Sequence, residues 1–387
     1  MSKKSVEVTK KDQLADIDEV FEDVSFLEQY EVEDPWGRAR TNTLLLDLQA
    51  GGKKGVLGYP YGWIINYVGD KSSGKTLFAH ELTGYQNHIQ KNFKYLFMPT
   101  EFGDSFDTED LYGYNATMPW DEVPKTVQKL DTTVREWVDN LKVDKEGNPI
   151  EVGVATVDSL DGVGSIQLDN MAIDRMKKHK AGKEVMDEGS YQMEKPRFLS
   201  SSHFPKIACE MRHKKALYLI LSQLRDNPDP NSPVKEKRSG GRAMDFYCHT
   251  VQWLYAVDKI FATVKAQKDG KSCGGITRVV NKKSKTPRPG RIIYVLFYYS
   301  FGIDDVGTNL LYLFDLLSDR GKMTIKNPPV PWNGETRKFL ELRDWFYEHE
   351  NKAERDKLDQ MVIERWEKEE DAALKPTPGS GLLRKYR

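Results

Sequence analysis

Eight consecutive residues near the start of the chain have the types and the spacing of a phosphate-binding loop. In order, they are Gly69, Asp70, Lys71, Ser72, Ser73, Gly74, Lys75 and Thr76. An apolar segment, residues 63–68, precedes this G-x-x-x-x-G-K-T run and an amphipathic segment, residues 77–90, follows it. In such a loop between a strand and a helix, the backbone N–H groups point toward a bound anion. The lysine then contacts the terminal phosphates, and the threonine hydroxyl binds Mg²⁺. This setting favours a nucleoside triphosphate site over a plain glycine-rich turn.

Asp158 is the candidate for a second nucleotide motif. It ends the buried-type run of residues 152–157. At the carboxyl edge of a sheet it would face Thr76, so that Thr76 and Asp158 form the predicted metal pair. Read alone, an aspartate after a strand is more often a turn or capping residue.

Two further polar residues follow apolar runs and belong to the predicted catalytic set with Lys75. Glu101 comes after residues 95–100 and is the candidate for orienting an attacking water. Gln223 comes after residues 216–221, where an amide would sense the terminal phosphate. The alternatives are a surface capping acid and an ordinary polar strand end.

A long polar segment, residues 225–242, follows Gln223 and reads RDNPDPNSPVKEKRSGGR. Its length and net positive charge suit a nucleic-acid backbone, although a solvated surface loop is equally compatible with the composition. The candidate DNA contacts that charge indicates are Arg225, Lys235, Lys237, Arg238 and Arg242.

A second basic cluster, residues 278–291, contains six basic side chains and no acid. Its members are Arg278, Lys282, Lys283, Lys285, Arg288 and Arg291. We expect the cluster to face phosphate, either of nucleic acid or of a nucleotide held by a neighbouring subunit.

The overall composition excludes several classes of protein. The 58 basic residues balance 59 acidic ones, so that only local clusters can define a nucleic-acid site. Three cysteines without C-x-x-C spacing indicate a reducing compartment. The chain lacks a membrane-length apolar segment and a hydrophobic signal core, which predicts a cytoplasmic protein without a membrane partner.

The order of the segments predicts the fold class. Apolar β-type runs alternate with helical stretches across the middle of the chain, which indicates an α/β domain with a largely parallel twisted sheet flanked by helices. We expect three parts: residues 1–40 as an N-terminal arm or a solvated leader, residues 41–309 as the core, and residues 310–387 as a small helical region with a mobile tail.

Taken together, these segments resemble the RecA family of DNA recombinases over roughly residues 41–317. The stretches GDKSSGKT, FMPTEFGDSFD, ATVDSLDG and ILSQLR are similar to its phosphate loop, catalytic-glutamate strand, magnesium strand and phosphate-sensing segment. SGGRAMDFY resembles the end of its second DNA-binding loop, which adds Gly240 and Gly241 to the implied DNA-binding residues. VVNKKSKTP resembles the segment that reaches ATP across a subunit interface. The residues between 161 and 204, where the first DNA loop belongs, diverge, and within them Arg197 is the candidate contact.

The resemblance implies a RecA-like P-loop ATPase that uses ATP and Mg²⁺, and the divergence resembles bacteriophage members. Lys282 and Lys283 would contact the nucleotide of a neighbouring subunit. The implied activity is a DNA-dependent ATPase that forms a homo-oligomeric helical filament on single-stranded DNA and pairs it with double-stranded DNA in recombination and repair. The alternatives are a ring ATPase or helicase of the same fold, a DNA-coating scaffold without strand exchange and, more remotely, a small-molecule kinase.

Overall fold

The structure is a computed structural model that describes residues 37–51, 56–101, 106–181, 194–227, 231, 236–238, 240–285, 289–323 and 325–374. Most of the predicted N-terminal arm and the whole predicted tail, residues 375–387, therefore lie outside the described residues.

The strands and helices follow the apolar periodicity closely. The strands are β1 (Arg38–Ala39), β2 (Tyr59–Pro60), β3 (Ile64–Gly69), β4 (Phe93–Pro99), β5 (Val152–Asp158), β6 (Ala216–Asp226), β7 (Glu236–Arg238), β8 (Thr250–Ile260), β9 (Gly274–Ser284), β10 (Ile292–Tyr298), β11 (Gly302–Ile303), β12 (Pro329–Trp332) and β13 (Glu335–Lys338). The α-helices are α1 (Leu44–Gly51), α2 (Lys75–Ile89), α3 (Thr108–Tyr112), α4 (Val127–Asp139), α5 (Ile166–Lys180), α6 (Glu194–Phe198), α7 (Phe204–His213), α8 (Gly241–Tyr247), α9 (Val264–Lys268), α10 (Asp305–Leu313), α11 (Phe339–Tyr347) and α12 (Lys352–Leu374).

Within the described residues, nine strands form one central sheet, ordered β11-β10-β9-β8-β3-β6-β5-β4, with β7 paired to the end of β6. The expected α/β class with helices flanking a large sheet is confirmed. Parallel pairing runs from β8 through β3, β6 and β5 to β4, whereas β9, β10, β11 and β7 pair antiparallel. The loop-bearing strand β3 lies inside the parallel block, between β6 and β8.

Alternating side chains of the parallel strands enter two separate cores. On β3, Ile65 and Tyr67 belong to the core shared with α1 and α2, while Ile64 and Val68 belong to the core shared with α4 and α7. Both sets are fully buried, as expected for strands covered on both faces. Covering both faces fixes the register of each strand, because a one-residue slip would exchange the two sets.

The C-terminal region differs from the sequence prediction. The sequence predicts a small helical region there, but β12 and β13 form a hairpin before α11 begins. The proline run Asn327-Pro328-Pro329-Val330-Pro331 enters β12, which pairs with β13 alone, an edge setting that tolerates proline.

This region also shares the core of the sheet. Trp332 and Phe346 lie in the same buried cluster as the β10 side chains. The Tyr347 hydroxyl donates to Oδ1 of Asp304 at 3.0 Å, and Arg343 forms an ion pair with the same aspartate at 3.4 Å. The hairpin and its two helices are therefore packed on the central sheet as part of one core.

Candidate nucleotide-binding site

The register of the parallel strands gathers the predicted site at one edge of the sheet. Gly69 at the end of β3 pairs with Gln223 on β6. Pro99 at the end of β4 pairs with Asp158 at the end of β5. The carboxyl ends of adjacent parallel strands therefore meet, which is where ligands bind in open α/β sheets.

The loop between β3 and α2 has the backbone of a phosphate cradle. Gly74 lies in the left-handed region at φ 89°, and Ser72 has a positive φ of 61°. A Cβ added at Gly69 would lie 2.7 Å from the backbone oxygen of Leu254 on β8, so the close approach of the two strands requires glycine there. The Thr277 hydroxyl donates to the carbonyl of Ser73 at 3.0 Å and fixes the loop to β9.

Lys75 folds back over this loop. Its Nζ donates to the carbonyl oxygens of Gly69 and Asp70, both at 3.0 Å. Burial lowers the pKa of Lys75, while the nearby carboxylates of Asp158 and Glu101 oppose this shift. The ammonium therefore lies among acids at the open edge of the loop, where a phosphate group would replace main-chain acceptors as its partner.

Thr76 and Asp158 form the predicted pair. The Thr76 hydroxyl donates to Oδ2 of Asp158 at 2.6 Å, so that a hydroxyl and a carboxylate from different elements share one point beside the loop. Hard oxygen donors of this kind fit Mg²⁺, which binds through one or two protein oxygens together with phosphates. The residues present therefore fit the expected ion.

Glu101 and Gln223 meet at the same edge. Gln223 donates from Nε2 to Oε1 of Glu101 at 2.8 Å, and the Ser159 hydroxyl donates to the same oxygen. Glu101 is solvent-exposed, and its backbone N–H donates to the carbonyl of Asp158 at 3.1 Å. An exposed carboxylate held by two donors is a suitable base for a water molecule at this edge.

Sequence reasoning missed Asp161, which positions this set. Its Oδ2 accepts the backbone N–H of Gln223 at 2.7 Å, and its Oδ1 pairs with Arg225 at 3.0 Å. Asp161 lies within the quoted stretch ATVDSLDG, three residues after Asp158. The signal that would have indicated it is this second acid in the turn that follows β5.

The described residues just after Gln223 form a strand pair where the sequence predicts a loop. Strand β6 continues to Asp226, and β7 returns antiparallel, pairing Leu224 with Arg238 and Arg225 with Lys237. Lys237 is exposed, and the Arg225 side chain remains 61% exposed despite its ion pair. Arg238 differs, because its side chain is only 7% exposed and bonded within the chain.

Other predicted DNA contacts lie nearby or outside the described part. Gly240 and Gly241 have φ of 87° and 62° where α8 begins, a backbone that glycine adopts without strain. A Cβ on Gly241 would lie 3.4 Å from Cβ of Pro196, so α6, which carries the exposed Arg197, lies against this turn. Lys235 and the side chain of Arg242 fall outside the described residues.

The two lysines predicted to reach a neighbouring nucleotide have different surroundings. Lys282 is exposed, with Nζ 5.1 Å from the centre of the Trp253 ring. Lys283 donates to carbonyls at the end of α8, including those of Phe246 at 3.2 Å and Cys248 at 2.5 Å. Burial lowers the pKa of Lys283. In this conformation Lys283 caps a helix C-terminus of its own chain.

The sequence predicts that all six basic residues of the cluster 278–291 face phosphate, and this prediction is wrong for Arg291. This residue is 2% exposed, and its Nε lies 3.8 Å from Oε2 of Glu370 on α12. The arginine joins the C-terminal helix to the sheet, because the Glu370 carboxylate faces its buried guanidinium.

Comparison with known proteins adds little to this geometry. No protein-family model matches the chain, and no curated protein matches it. Among solved structures, the chain is similar to the crystal structure of the RadB recombinase, with 14% sequence identity and a TM-score of 0.39, over 64% of this chain and 92% of that chain. A likeness of this size carries no conclusion about activity.

None of the described helices is long and apolar enough to span a membrane.

Proposed function

We propose that this chain is a RecA-family DNA recombinase, an ATPase that assembles on single-stranded DNA and promotes homologous pairing and strand exchange. The observation that carries the proposal is the hydrogen bond between Gln223 and Glu101 at the open edge of the phosphate loop. It joins the candidate catalytic acid to a strand that runs directly into the candidate DNA segment, as coupling of hydrolysis to DNA requires.

The nucleotide site already contains the hydrogen-bond donors that phosphate groups would need. The loop from Gly69 to Thr76 would hold the phosphates of ATP through its N–H groups and the Lys75 ammonium. Thr76 and Asp158 would hold Mg²⁺, which neutralises phosphate charge when bound. Glu101 accepts a proton from water at Oε1 or Oε2, and the donors on Oε1 fix its orientation.

The DNA-binding role rests on charge and position. Lys237 and Arg197 are exposed cations beside the turn at Gly240, and Arg225 shares the same strand as Gln223. Cations spaced along a surface bind a phosphate backbone through release of counterions, which makes such binding weaken as salt rises. Lys235 and Arg242 stay candidate DNA contacts from the sequence alone.

Filament assembly belongs to the same proposal. Lys282 is exposed on β9 and available to the nucleotide of a neighbouring subunit, whereas Lys283 would first have to leave the carbonyls that it caps. Residues 1–40 would serve as an oligomerisation arm or as a solvated leader. A cytoplasmic location and a bacteriophage origin stay predictions from the sequence.

ATP hydrolysis with and without single-stranded DNA across a salt series is the first test, with Lys75→Ala as the inactive control. Stimulation by DNA that declines with salt supports the proposal. Hydrolysis that is indifferent to DNA contradicts it and leaves a nucleotide site alone. Electron microscopy on DNA then separates open filaments from rings, and a strand-exchange assay separates a recombinase from a DNA-coating scaffold.

A further inference from the structure

The charge of Arg238 suggests a DNA contact, but its side chain is buried against β3, the strand that leads into the phosphate loop. Its guanidinium donates to Oδ1 of Asn66 on β3 and to Oδ1 of Asp245 on α8. The Arg238 side chain is 7% exposed, whereas the Asp245 side chain is 69% exposed. The contact with Asn66 is therefore desolvated, as is a further hydrogen bond with the buried Cys248, whereas the pair with Asp245 lies at the surface.

Asn66 extends this contact into the adjacent strand. Its Nδ2 donates to the carbonyl of Ile220 at 2.8 Å and to the Ser222 hydroxyl at 2.9 Å, both on β6. Asn66 is completely buried and lies three residues before Gly69. One side chain thus joins the strand that carries the phosphate loop, the strand that carries Gln223 and the end of the DNA segment.

The main chain makes a second connection at the same place. Leu224, the residue after Gln223, pairs with Arg238 across the β6–β7 ladder. A displacement of Gln223 therefore shifts the backbone partner of Arg238, while the side chain of Arg238 remains fixed to β3. The two connections together set the position of β7 relative to the phosphate loop.

We propose that Arg238 is a positioning residue that couples the nucleotide site to the DNA segment through Asn66, and not a contact to DNA phosphate. The inference rests on the proposed function and deepens it. Loss of the guanidinium leaves the buried Oδ1 of Asn66 without this donor, an unfavourable state that releases β7 from β3. A displacement of Gln223 would then no longer change the position of the DNA-binding cations.

The neighbouring Lys237 provides a matched control. It has the same charge, lies on the same three-residue strand and is exposed. Arg238→Gln and Lys237→Gln therefore remove one positive charge each from adjacent positions. The measurements are the maximum stimulation of ATP hydrolysis by a single-stranded oligonucleotide and the oligonucleotide concentration at half-maximum.

Coupling predicts different outcomes for the two variants. Arg238→Gln lowers the maximum stimulation by roughly tenfold, the effect of one buried charge-assisted hydrogen bond, with the half-maximal concentration little changed. Lys237→Gln raises the half-maximal concentration and keeps the maximum. Arg238→Lys, which keeps a donor for Asn66, restores part of the stimulation. If Arg238→Gln instead behaves like Lys237→Gln, the inference is overturned.

Two controls separate failure of this inference from failure of the proposed function. If DNA does not stimulate the unmodified protein, the coupling is tested instead by amide hydrogen exchange in Glu236–Arg238 with and without ATP. Protection by ATP that Arg238→Gln abolishes supports the coupling, and exchange indifferent to ATP overturns it. If circular dichroism shows Arg238→Gln to be unfolded, Arg238→Lys is measured in its place. Intermediate coupling in Arg238→Lys then supports the proposal, and unmodified coupling contradicts it.

Discussion

Gln223 and Glu101 lie 122 residues apart in the chain and are joined by a hydrogen bond of 2.8 Å between Nε2 and Oε1. Gln223 lies on β6 and Glu101 follows β4, and these two strands are separated in the sheet by β5. The contact exists because Asp161 holds the backbone of Gln223 and Ser159 holds the carboxylate of Glu101. Four residues from three segments thus form one network at the edge of the sheet.

Replacing Glu101 with glutamine tests its catalytic role. Glu101→Gln keeps the size of the side chain and its acceptor oxygen but removes the proton acceptor, so we expect ATP to bind and hydrolysis to fall by roughly 100-fold or more. Nucleotide titration and phosphate release measure the two effects. Glu122→Gln, an exposed carboxylate outside the site, is the control. Hydrolysis by Glu101→Gln at the unmodified rate would show the assignment to be wrong.

The pair of Thr76 and Asp158 predicts a magnesium-dependent contribution to nucleotide affinity. Thr76→Val preserves the shape of the side chain and removes the hydroxyl, so the increase in affinity that Mg²⁺ produces should be lost. Thr76→Ser retains the hydroxyl and should retain the increase. Calorimetric titration of ATP with Mg²⁺ and with chelator makes the comparison, and an equal magnesium effect in the valine and serine variants would contradict the metal role.

Glu81 predicts how stability depends on pH. Burial raises the pKa of Glu81 to about 7, despite hydrogen bonds from the N–H of Ile303 and the amide of Asn42. Since the folded state holds this proton and the unfolded state releases it near its ordinary value, stability falls as pH rises from about 4.5 to about 7. The contribution is at most roughly 3 kcal/mol.

Denaturant unfolding at pH 5 and pH 8 tests this dependence. Glu81→Gln resembles the protonated acid, so its loss of stability between the two pH values should be smaller than that of the unmodified protein. Burial also raises the pKa of Asp305 to about 7, so both proteins retain the part of the pH dependence that Asp305 contributes. Equal slopes in the two proteins would show that Glu81 is not held protonated.

Packing of the C-terminal region predicts a single unfolding transition. The Phe346 ring is fully buried and lies 5.0 Å from the Trp332 ring, centre to centre. Phe346→Ala should destabilise the whole chain by roughly 3–5 kcal/mol, whereas Leu340→Ala, at a position 38% exposed, should cost far less. Fluorescence and circular dichroism would report coincident transitions, and a separate C-terminal transition would contradict the shared core.

The sequence by itself indicated most strands of the central sheet and the phosphate loop, and it singled out the candidates Asp158, Glu101 and Gln223, but it did not separate the parallel strands from the antiparallel β9 and β10. These features depend on local signals: apolar runs of strand length, glycines where the backbone needs them, and polar residues directly after a strand. Because parallel strands end at a common edge, the sequence order alone placed these side chains in one region.

The tertiary structure decided which cations are exposed and which are buried. Arg238 and Lys237 are adjacent and chemically similar. The Arg238 side chain nevertheless donates to Asn66 inside the protein, whereas Lys237 is exposed to solvent. Arg291 likewise joins α12 to the sheet. Such distinctions depend on partners that are distant in the chain, and no local pattern of charge encodes which side of a strand will meet a buried acceptor.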